Sequence, residues 1–322
     1  MATPAILGLD IGGANLKALA ELVAKFDGVE EFAVTMTGEL CDCFETKRAG
    51  VDAIIKAVRF ASEGRRIRVW STDGVFLDSE QAKANYLKVA AANWHALATL
   101  AGQYVPNGTG VLIDTGSTTT DVIPLLHGKP VPRGKTDTER MQTSELIYTG
   151  ARRTPVCAIL GSMVAAELFA TAHDAYLLLG KVAEDPADCD TADGRPATKR
   201  HAHARLARML GGDAETIPLE KAVSLGDEVM HHQIRLIEYG VTQAGTTLGS
   251  ILRRDFRPWT VQFILSGSGE FIGREVFARG FVFERDEVKP SRVRSLGDRL
   301  GPEVSACAPA YAVAVLATES RS

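Results

Sequence analysis

The sequence has 322 residues, of which 45% are hydrophobic and 24% charged, and its formal net charge is −4. This length is sufficient for two domains with sizeable cores, and the weakly acidic balance argues against a nucleic-acid-binding protein. Five cysteines are typical of reduced cytosolic thiols rather than of a disulfide framework, and no apolar stretch is long enough to span a membrane. We expect a cytoplasmic protein that binds neither nucleic acid nor membrane, and the composition leaves its oligomeric state open.

The first part of the chain predicts alternating strands and helices. Residues 15–22 are expected to pair with 6–10 as a hairpin around a glycine-rich turn. A stretch rich in glycine, proline and asparagine at 103–110 indicates a domain boundary. The elements predicted here are strands 6–10, 15–22, 31–37 and 67–70 and helices 51–62 and 79–100.

After this boundary the strand, turn and strand pattern starts again, as a duplicated α/β protein would show. The elements predicted here are strands 111–114, 119–126 and 261–265, a turn at 128–130, a loop-rich insertion at 129–154, a loop at 184–197, and helices 164–171, 201–210, 219–240, 242–253 and 309–318. We expect the last helix to fold back on the first domain. The predicted domains are therefore 1–107 joined by 305–322, and 108–304.

Two predicted strands end in an aspartate that is followed by a turn of small residues. Superimposing Asp10 on Asp114 places Gly12 on Gly116, which is the spacing of a duplicated phosphate-binding element and implies a cleft between two similar halves. A third small-residue turn, at 266–270, follows the strand 261–265. The predicted phosphate- or nucleotide-binding residues are Gly12, Gly13, Asn15, Gly116, Ser117, Thr118, Thr119, Thr120, Asp121, Ser266, Gly267 and Gly269.

Charged residues near these turns are candidates for neutralising phosphate charge. Asp10 and Asp114 lie at strand ends, where carboxylates can hold Mg²⁺. Lys17 is a second candidate, although it would point outward if it lay in the second strand of the hairpin. The three turns in this order resemble the actin, hexokinase and Hsp70-like ATPase superfamily. That resemblance implies an α/β fold of two ribonuclease H-like domains that close on a phosphate ligand and Mg²⁺, with ATP as an alternative ligand.

Longer peptides carry a more specific resemblance. The chain is similar to the hydantoinase/oxoprolinase-related proteins of the tetrahydromethanopterin-linked one-carbon pathway, whose archaeal members resemble a methanofuran-biosynthesis synthase. Bacterial members would serve methylofuran assembly. Ser144 and Met141 depart from this pattern, since the family usually shows glycine and leucine there. The peptides concerned are Thr37-Gly-Glu39, Ala91-Ala-Asn-Trp94, Gly116-Ser-Thr-Thr-Thr-Asp121, Thr136-Asp137, Ser144-Glu-Leu-Ile-Tyr-Thr-Gly150, Arg152-Arg-Thr-Pro155 and Thr191-Ala-Asp-Gly-Arg-Pro196.

This resemblance implies a transferase that joins an aminomethyl-furanmethyl diphosphate to a tyramine-type phenol, with release of pyrophosphate. Its predicted catalytic residues are Asp10, Lys17, Asp114 and Glu39, of which Glu39 would anchor an ammonium, accept the phenol proton or simply occupy a turn. Arg152 and Arg153 would bind a diphosphate or a carboxylate, or lie in solvent. The predicted substrate-binding residues are Glu145, Tyr148, Arg152, Arg153, Thr154, Asp190 and Asp193.

Other functions remain open at this point. An ATP-dependent small-molecule kinase or an oxoprolinase-type hydrolase would use the same three turns. Sugar kinases share the opening Asp10-Ile-Gly-Gly13 but carry a cysteine-rich zinc motif that this chain lacks. A nucleotide-switched interaction protein is disfavoured because the chain is too short to add a peptide-binding domain.

Overall fold

The computed structural model describes residues 5–12, 19–283 and 286–321. Its contacts divide the chain into a first unit, Met1–Gly110 with Ile123–Gln142 and Glu303–Ser322, and a second unit, Val111–Val122 with Thr143–Pro302. The sequence-based division differs by placing 123–142 in the second domain. Main-chain packing explains the difference, because a Cβ atom on Gly102 would lie 2.2 Å from the carbonyl oxygen of Gly128.

Strands and helices alternate along the described chain. The elements up to residue 142 are β1 (Ala5–Ile11), α1 (Leu19–Val23), β2 (Val29–Met36), α2 (Lys47–Ser62), β3 (Arg66–Trp70), β4 (Phe76–Leu77), α3 (Ser79–Ala84), α4 (Tyr86–Val89), α5 (Asn93–Gly102), β5 (Thr109–Thr115), β6 (Thr120–Leu126), β7 (Lys129–Pro130) and α6 (Asp137–Gln142). The later elements are β8 (Leu146–Ile147), α7 (Val156–Leu160), α8 (Ala172–Leu178), α9 (Lys199–Met209), α10 (Leu219–Leu252), β9 (Gln262–Ser266), α11 (Glu270–Ala278), β10 (Val282–Phe283), β11 (Asp286–Glu287), β12 (Val293–Ser295), α12 (Leu296–Leu300), α13 (Pro302–Ala306) and α14 (Ala308–Glu319). The predicted mixed α/β class is confirmed.

The first unit is built on a sheet in the order β1, β2, β3, β4. The first three strands are parallel, and β4 is antiparallel to β3. Because successive side chains of a strand point to opposite faces, Phe32 and Val34 pack with α2, whereas Ala33 packs with α5 and α14. Gly8 allows close approach of α14, since a Cβ atom there would lie 2.0 Å from the carbonyl oxygen of Ala310.

The predicted second strand of the hairpin, 15–22, is wrong for residues 19–22, which lie in helix α1. Strand β1 pairs with β2 in parallel, and such a pair needs a crossover connection between its strands. Residues 13–18, which hold the rest of the predicted hairpin, lie outside the described part of the chain.

The predicted long helix 79–100 is divided into α3, α4 and α5. The first break is at Asn85, whose side chain donates to the carbonyl of Gln81 at 2.9 Å and so terminates α3. The second is at Ala91, which has a φ of 47° in the left-handed region that L-residues rarely adopt. Alanine is the strongest helix former, so propensity alone could not indicate this break.

The second unit is organised around β12, β9, β5 and β6, in that order, with β8 beside β6. The strand β12 is parallel to β9. Helix α10 is continuous from Leu219 to Leu252, although the sequence predicts a break after Gly240. This glycine is needed for packing, because a Cβ atom on it would lie 2.9 Å from Ile147 Cδ1 and 3.0 Å from the carbonyl oxygen of Ser144.

The predicted helix 164–171 is wrong, because residues 164–170 are irregular and Thr171 caps α8 in a capping box with Asp174. The helices that were not predicted are α1, α6, which lies in the predicted loop-rich insertion 129–154, α7, α8, α11, α12 and α13. The other predicted elements are confirmed within a few residues, and α14 packs in the first unit as expected. Within the described ranges, no helix combines the length and apolarity that crossing a bilayer requires.

Candidate functional site

The turn that follows β5, here called the Asp114 turn (residues 114–119), presents hydroxyl groups on a constrained main chain. The N–H of Gly116 donates to the carbonyl of Thr119 at 2.9 Å, which closes the turn. The hydroxyls of Ser117 and Thr118 lie 3.4 Å apart. Within the described residues, the hydroxyls of Ser117, Thr118 and Thr119 make no other hydrogen bond, so they are available to an anionic ligand.

A second segment, 149–154, supports the Asp114 turn from behind. The carbonyl of Ser117 accepts the N–H groups of Arg152 at 3.0 Å and Arg153 at 2.8 Å. Gly150 lies so close that a Cβ atom on it would be 2.5 Å from the backbone nitrogen of Thr118. The position of the turn is therefore fixed by main-chain contacts, and preorganised donors of this kind suit phosphate oxygens.

A buried polar network lies beneath this second segment. Gln233 donates to the hydroxyl of Thr149 at 2.6 Å and accepts from the hydroxyl of Tyr176 at 2.5 Å. Burial raises the pKa of Tyr176. Thr120, a predicted phosphate donor, is buried and donates its hydroxyl to the carbonyl of Thr149 at 2.7 Å, so this hydroxyl serves the network. The sequence signal for Gln233 would have been a polar residue on the apolar face of α10.

The turn 266–269 packs directly on the end of β5. Gly267 has a φ of 95°, and a Cβ atom on it would lie 2.2 Å from the carbonyl oxygen of Thr115. The N–H of Gly269 donates to the same carbonyl at 2.8 Å. The small residues of this turn thus have a packing role, whatever ligand they contact. Ser266 is buried, and its hydroxyl has no hydrogen-bond partner within the described ranges.

The adjacent arginines of the second segment have different surroundings. Arg152 Nη2 donates to Asp188 Oδ2 at 2.7 Å and to the carbonyl of Asp190 at 2.9 Å. The side chain of Arg153 is exposed and has no ion-pair or hydrogen-bond partner among the residues that the structure describes. Thr154 accepts the N–H of Gly150 at 2.8 Å. Of the two guanidinium groups, that of Arg153 is available to a ligand.

The remaining predicted substrate residues have mixed placements. Asp193 accepts from Arg205 at 3.0 Å and Arg208 at 3.3 Å, so its carboxylate takes part in an ion-pair network of the protein. Glu145 is buried and accepts the Thr143 hydroxyl at 2.8 Å. The others are Asp190, which is largely exposed, and Tyr148, which is 65% exposed. Asp121, predicted as a phosphate-binding residue, is buried in β6.

In the first unit, the ends of β1 and β2 lie side by side. Asp10 is opposite Thr35 in the sheet, and the N–H groups of Thr37 and Gly38 both donate to the carbonyl of Ile11 at 2.9 Å. Gly12 follows directly in the described chain. The predicted site residues Gly13, Asn15 and Lys17 lie outside the described part.

Beyond β2 lies a group of charged residues, here called the Glu39 cluster (Glu39, Lys47, Asp137, Arg140 and Trp94). Glu39 is 1% exposed, and burial raises its pKa. Lys47 Nζ lies 4.0 Å from Glu39 Oε1 and 3.6 Å from Asp137 Oδ2. The buried guanidinium of Arg140 stacks on the ring of Trp94 at 4.0 Å, a cation–π contact. Residues from three distant segments thus meet within one unit.

Next to this cluster, His95 is held neutral. Its Nδ1 accepts from Trp70 Nε1 at 3.3 Å, and burial lowers the pKa of His95 to about 4. Sequence reasoning did not identify Arg140 or His95. Their signal was the unusual density of aromatic and charged residues in the peptides 91–95 and 136–140.

Comparison with known proteins gives the family. The sequence profile of the hydantoinase/oxoprolinase family matches residues 30–251. The chain belongs to the hydantoinase/oxoprolinase family. It is 31% identical over 343 aligned residues to the (4-{4-[2-(gamma-L-glutamylamino)ethyl]phenoxymethyl}furan-2-yl)methanamine synthase of Methanocaldococcus jannaschii, covering 97% of both chains. It is 30% identical to the Methanococcus vannielii synthase of the same name, covering 64% of this chain and 89% of that relative. The resemblance inferred from the peptides is confirmed.

Solved structures similar to this hydantoinase/oxoprolinase family member are more distant. A nucleotide-free acetone carboxylase matches with a TM-score of 0.45 and 13% identity, over 93% of this chain and 48% of that one. An archaeal actin homologue in complex with ADP matches with a TM-score of 0.37 and 16% identity, over 91% and 72%. The family assignment rests on the sequence matches, and the ribonuclease H-like character of the two units stays a prediction.

The carboxylates of this family member limit how Mg²⁺ can be held. Within 5–12, 19–283 and 286–321, no three histidine, cysteine or acidic side chains are grouped as a metal site. Mg²⁺ usually needs only one or two carboxylates, with water and substrate phosphates as its other ligands. Asp114 fits this role, because its carboxylate is 8% exposed and lies at the strand end beside the open hydroxyls of the turn.

Proposed function

We propose that the protein is a transferase that condenses an aminomethyl-furanmethyl diphosphate with a tyramine- or tyrosine-type phenol, forming an ether and releasing pyrophosphate. The observation that carries this proposal is the 31% identity to the Methanocaldococcus jannaschii synthase over 97% of both chains. The name of that relative describes a phenoxymethyl-furan ether with an amine. The proposed product belongs to the methanofuran or methylofuran type of one-carbon carrier, and we expect its assembly in the cytoplasm.

The chemistry defines the tasks of the protein. The furan oxygen stabilises positive charge at the furanmethyl carbon, so bond cleavage there needs mainly stabilisation of the departing pyrophosphate and alignment of the phenol. The open hydroxyls of Ser117, Thr118 and Thr119 are suited to phosphate oxygens, and the free guanidinium of Arg153 supplies positive charge. We propose that these groups hold the diphosphate.

Magnesium belongs to this proposal. Asp114 would hold the ion in the second unit, and Asp10 is the corresponding candidate in the first unit. When bound, Mg²⁺ neutralises charge on the phosphates and on the leaving pyrophosphate. The residues of the Asp114 turn orient the diphosphate by hydrogen bonds and need no change in protonation state for this role.

The test is a direct assay of the purified protein with Mg²⁺, the furanmethyl diphosphate and tyramine. We expect one pyrophosphate for each ether formed, measured by a coupled phosphate assay and by mass spectrometry. Conversion of ATP to ADP on a small substrate, without turnover of the diphosphate, would support instead a kinase or an oxoprolinase-like hydrolase. Asp114→Asn should abolish either activity, and full activity in that variant would exclude the assigned turn.

A further inference from the structure

Glu39 carries a buried carboxylate with two different oxygen environments. Burial raises the pKa of the carboxylate, and the backbone N–H groups of Glu39 and Ala91 together with Lys47, which lies 4.0 Å from Oε1, oppose that shift. Its Oε2 atom is buried and has no hydrogen-bond partner among the residues that the structure describes. A buried acceptor without a donor destabilises the fold, so such an atom points to a ligand that supplies the donor.

The protein holds this carboxylate in place at the expense of backbone strain. Ala91, whose backbone N–H lowers the pKa of Glu39, has a φ of 47° in the left-handed region. On the other side, Gly50 of α2 brings its main chain against Glu39, because a Cβ atom there would lie 2.1 Å from the Glu39 carbonyl oxygen. Strain of this kind persists where a side chain must be positioned accurately.

The charges around Glu39 favour a neutral donor over a second cation. Lys47 from α2 lies 4.0 Å from Glu39 Oε1, and Asp137 from α6 lies 3.6 Å from the same ammonium. Arg140 lies 3.5 Å from Asp137 Oδ1. The two carboxylates already face two cations, so a substrate ammonium would add like-charge repulsion. A phenol O–H adds no charge.

We propose that Oε2 of Glu39 accepts the phenolic proton of the nucleophile, which makes Glu39 the general base; this rests on the proposed function. The phenol O–H bond breaks and the proton moves to Glu39. The phenolate oxygen forms a bond to the furanmethyl carbon, and the bond between that carbon and the diphosphate oxygen breaks with its electron pair on pyrophosphate. The proton passes from Glu39 to water after the ether leaves.

The test compares the effect of a Glu39 substitution on kcat/KM for phenols of different acidity. We expect Glu39→Gln to lower kcat/KM by about 10²- to 10⁴-fold with tyramine, whose phenol has a pKa of about 10. With 4-nitrophenol, a far more acidic phenol that is largely ionised and needs no base in an assay at about pH 8.5, the loss at that pH should shrink to less than about 10-fold. An equal loss with all phenols, or no loss, would overturn the assignment. A loss that disappears with a furan diphosphate lacking the aminomethyl group would make Glu39 the ammonium anchor instead.

Two further measurements distinguish the loss of a general base from a folding defect and from failure of the proposed function. Glutamine has nearly the same shape as glutamate and carries no charge, so we expect E39Q to melt at no lower temperature than the wild type at neutral pH. Glu39→Asp, which keeps the carboxylate, should retain part of the activity. If the wild type releases no pyrophosphate with any phenol, the proposed function fails. Bound 4-nitrophenol should even then ionise at a higher pH in the wild type than in E39Q, and identical titrations would overturn the role of Glu39.

Discussion

The described residues around Asp10 and around Asp114 belong to different local structures. After Asp114 a closed turn leads directly into the neighbouring strand β6. After Asp10 the next described element is helix α1, and the following strand β2 is parallel to β1. The shared spacing of aspartate and glycine therefore marks the end of a strand in both regions, β1 at Ile11 and β5 at Thr115.

The two regions also differ in how they present polar groups. The Asp114 turn has a supported main chain and open hydroxyls, as a preorganised anion site requires. The described residues beyond β2 in the first unit bury charged groups instead, among them Glu39 and Arg140. We therefore expect substitutions in the second unit to change binding of an anion, and substitutions in the first unit to change the pH dependence.

The largest effect on stability is expected from a substitution in the segment 149–154, which supports the Asp114 turn. Gly150→Ala would place a Cβ atom 2.5 Å from the backbone nitrogen of Thr118, where no flexible side chain can move away. We expect the free energy of unfolding to fall by about 3 kcal/mol, the upper range of overpacking. Urea denaturation followed by circular dichroism measures this change.

Gly116→Ala is the matched control for this substitution. A Cβ atom on Gly116 would lie 3.5 Å from the carbonyl oxygen of Thr119, an ordinary contact. We expect stability to change by less than about 1 kcal/mol, whereas the KM for the diphosphate should rise because the methyl group obstructs the ligand. Equal destabilisation by both substitutions would contradict the supporting role of 149–154.

The first unit should lose stability in acid through His95. Burial lowers the pKa of His95 to about 4, so below its ordinary value of 6.5 the unfolded chain takes up a proton that the folded protein excludes. This contribution to stability is present above pH 6.5 and is lost as the pH falls towards 4, by about 2 kcal/mol between pH 7 and pH 5. Denaturant titrations at each pH should show a flatter profile for His95→Asn than for the wild type, and an equally steep profile would contradict the role of His95.

The adjacent residues Arg152 and Arg153 should differ in how much they contribute to diphosphate binding. Arg153→Ala should raise the KM for the diphosphate by about 10- to 100-fold, the usual range for a charged hydrogen bond. Arg152→Ala should instead loosen the contact with Asp188 and Asp190, with a smaller effect on KM. Steady-state kinetics with varied diphosphate separate the two, and equal effects on KM would remove the distinction.

The smallest effect is expected at Ser144. Its φ of 60° lies in the left-handed region, so Ser144→Gly should stabilise the protein by about 0.5–1 kcal/mol. The same change at Ser250, in the last turn of α10, should destabilise it by about 0.5 kcal/mol. Thermal melts of the two variants should shift in opposite directions.

The sequence patterns located most strands and the amphipathic helix α2, since period and composition are local properties. They failed at residues for which the local pattern predicts one structure and a contact with a distant residue produces another. Gly240 is predicted to break a helix, yet it lies inside α10. A side chain at this position would collide with Ile147 and Ser144. The pattern predicts helix at Ala91, yet Ala91 has a left-handed φ and its backbone N–H acts on the pKa of Glu39. The hydroxyl-rich turn was visible in the sequence, and the Glu39 cluster depends on contacts between distant segments.

The last helix has a consequence for the order of assembly. Helix α14 packs on β1 at Gly8, and Arg68 donates to the carbonyl of Ala317 at 2.6 Å and to the hydroxyl of Ser320 at 2.7 Å. The first unit is thus completed by residues that are synthesised after the whole of the second unit. During translation, the sheet of the first unit is made before α14, the last helix that covers it. The segment 143–302, by contrast, contains most residues of the second unit. Strand β1 can be covered by α14 only after the segment 143–302 has been synthesised.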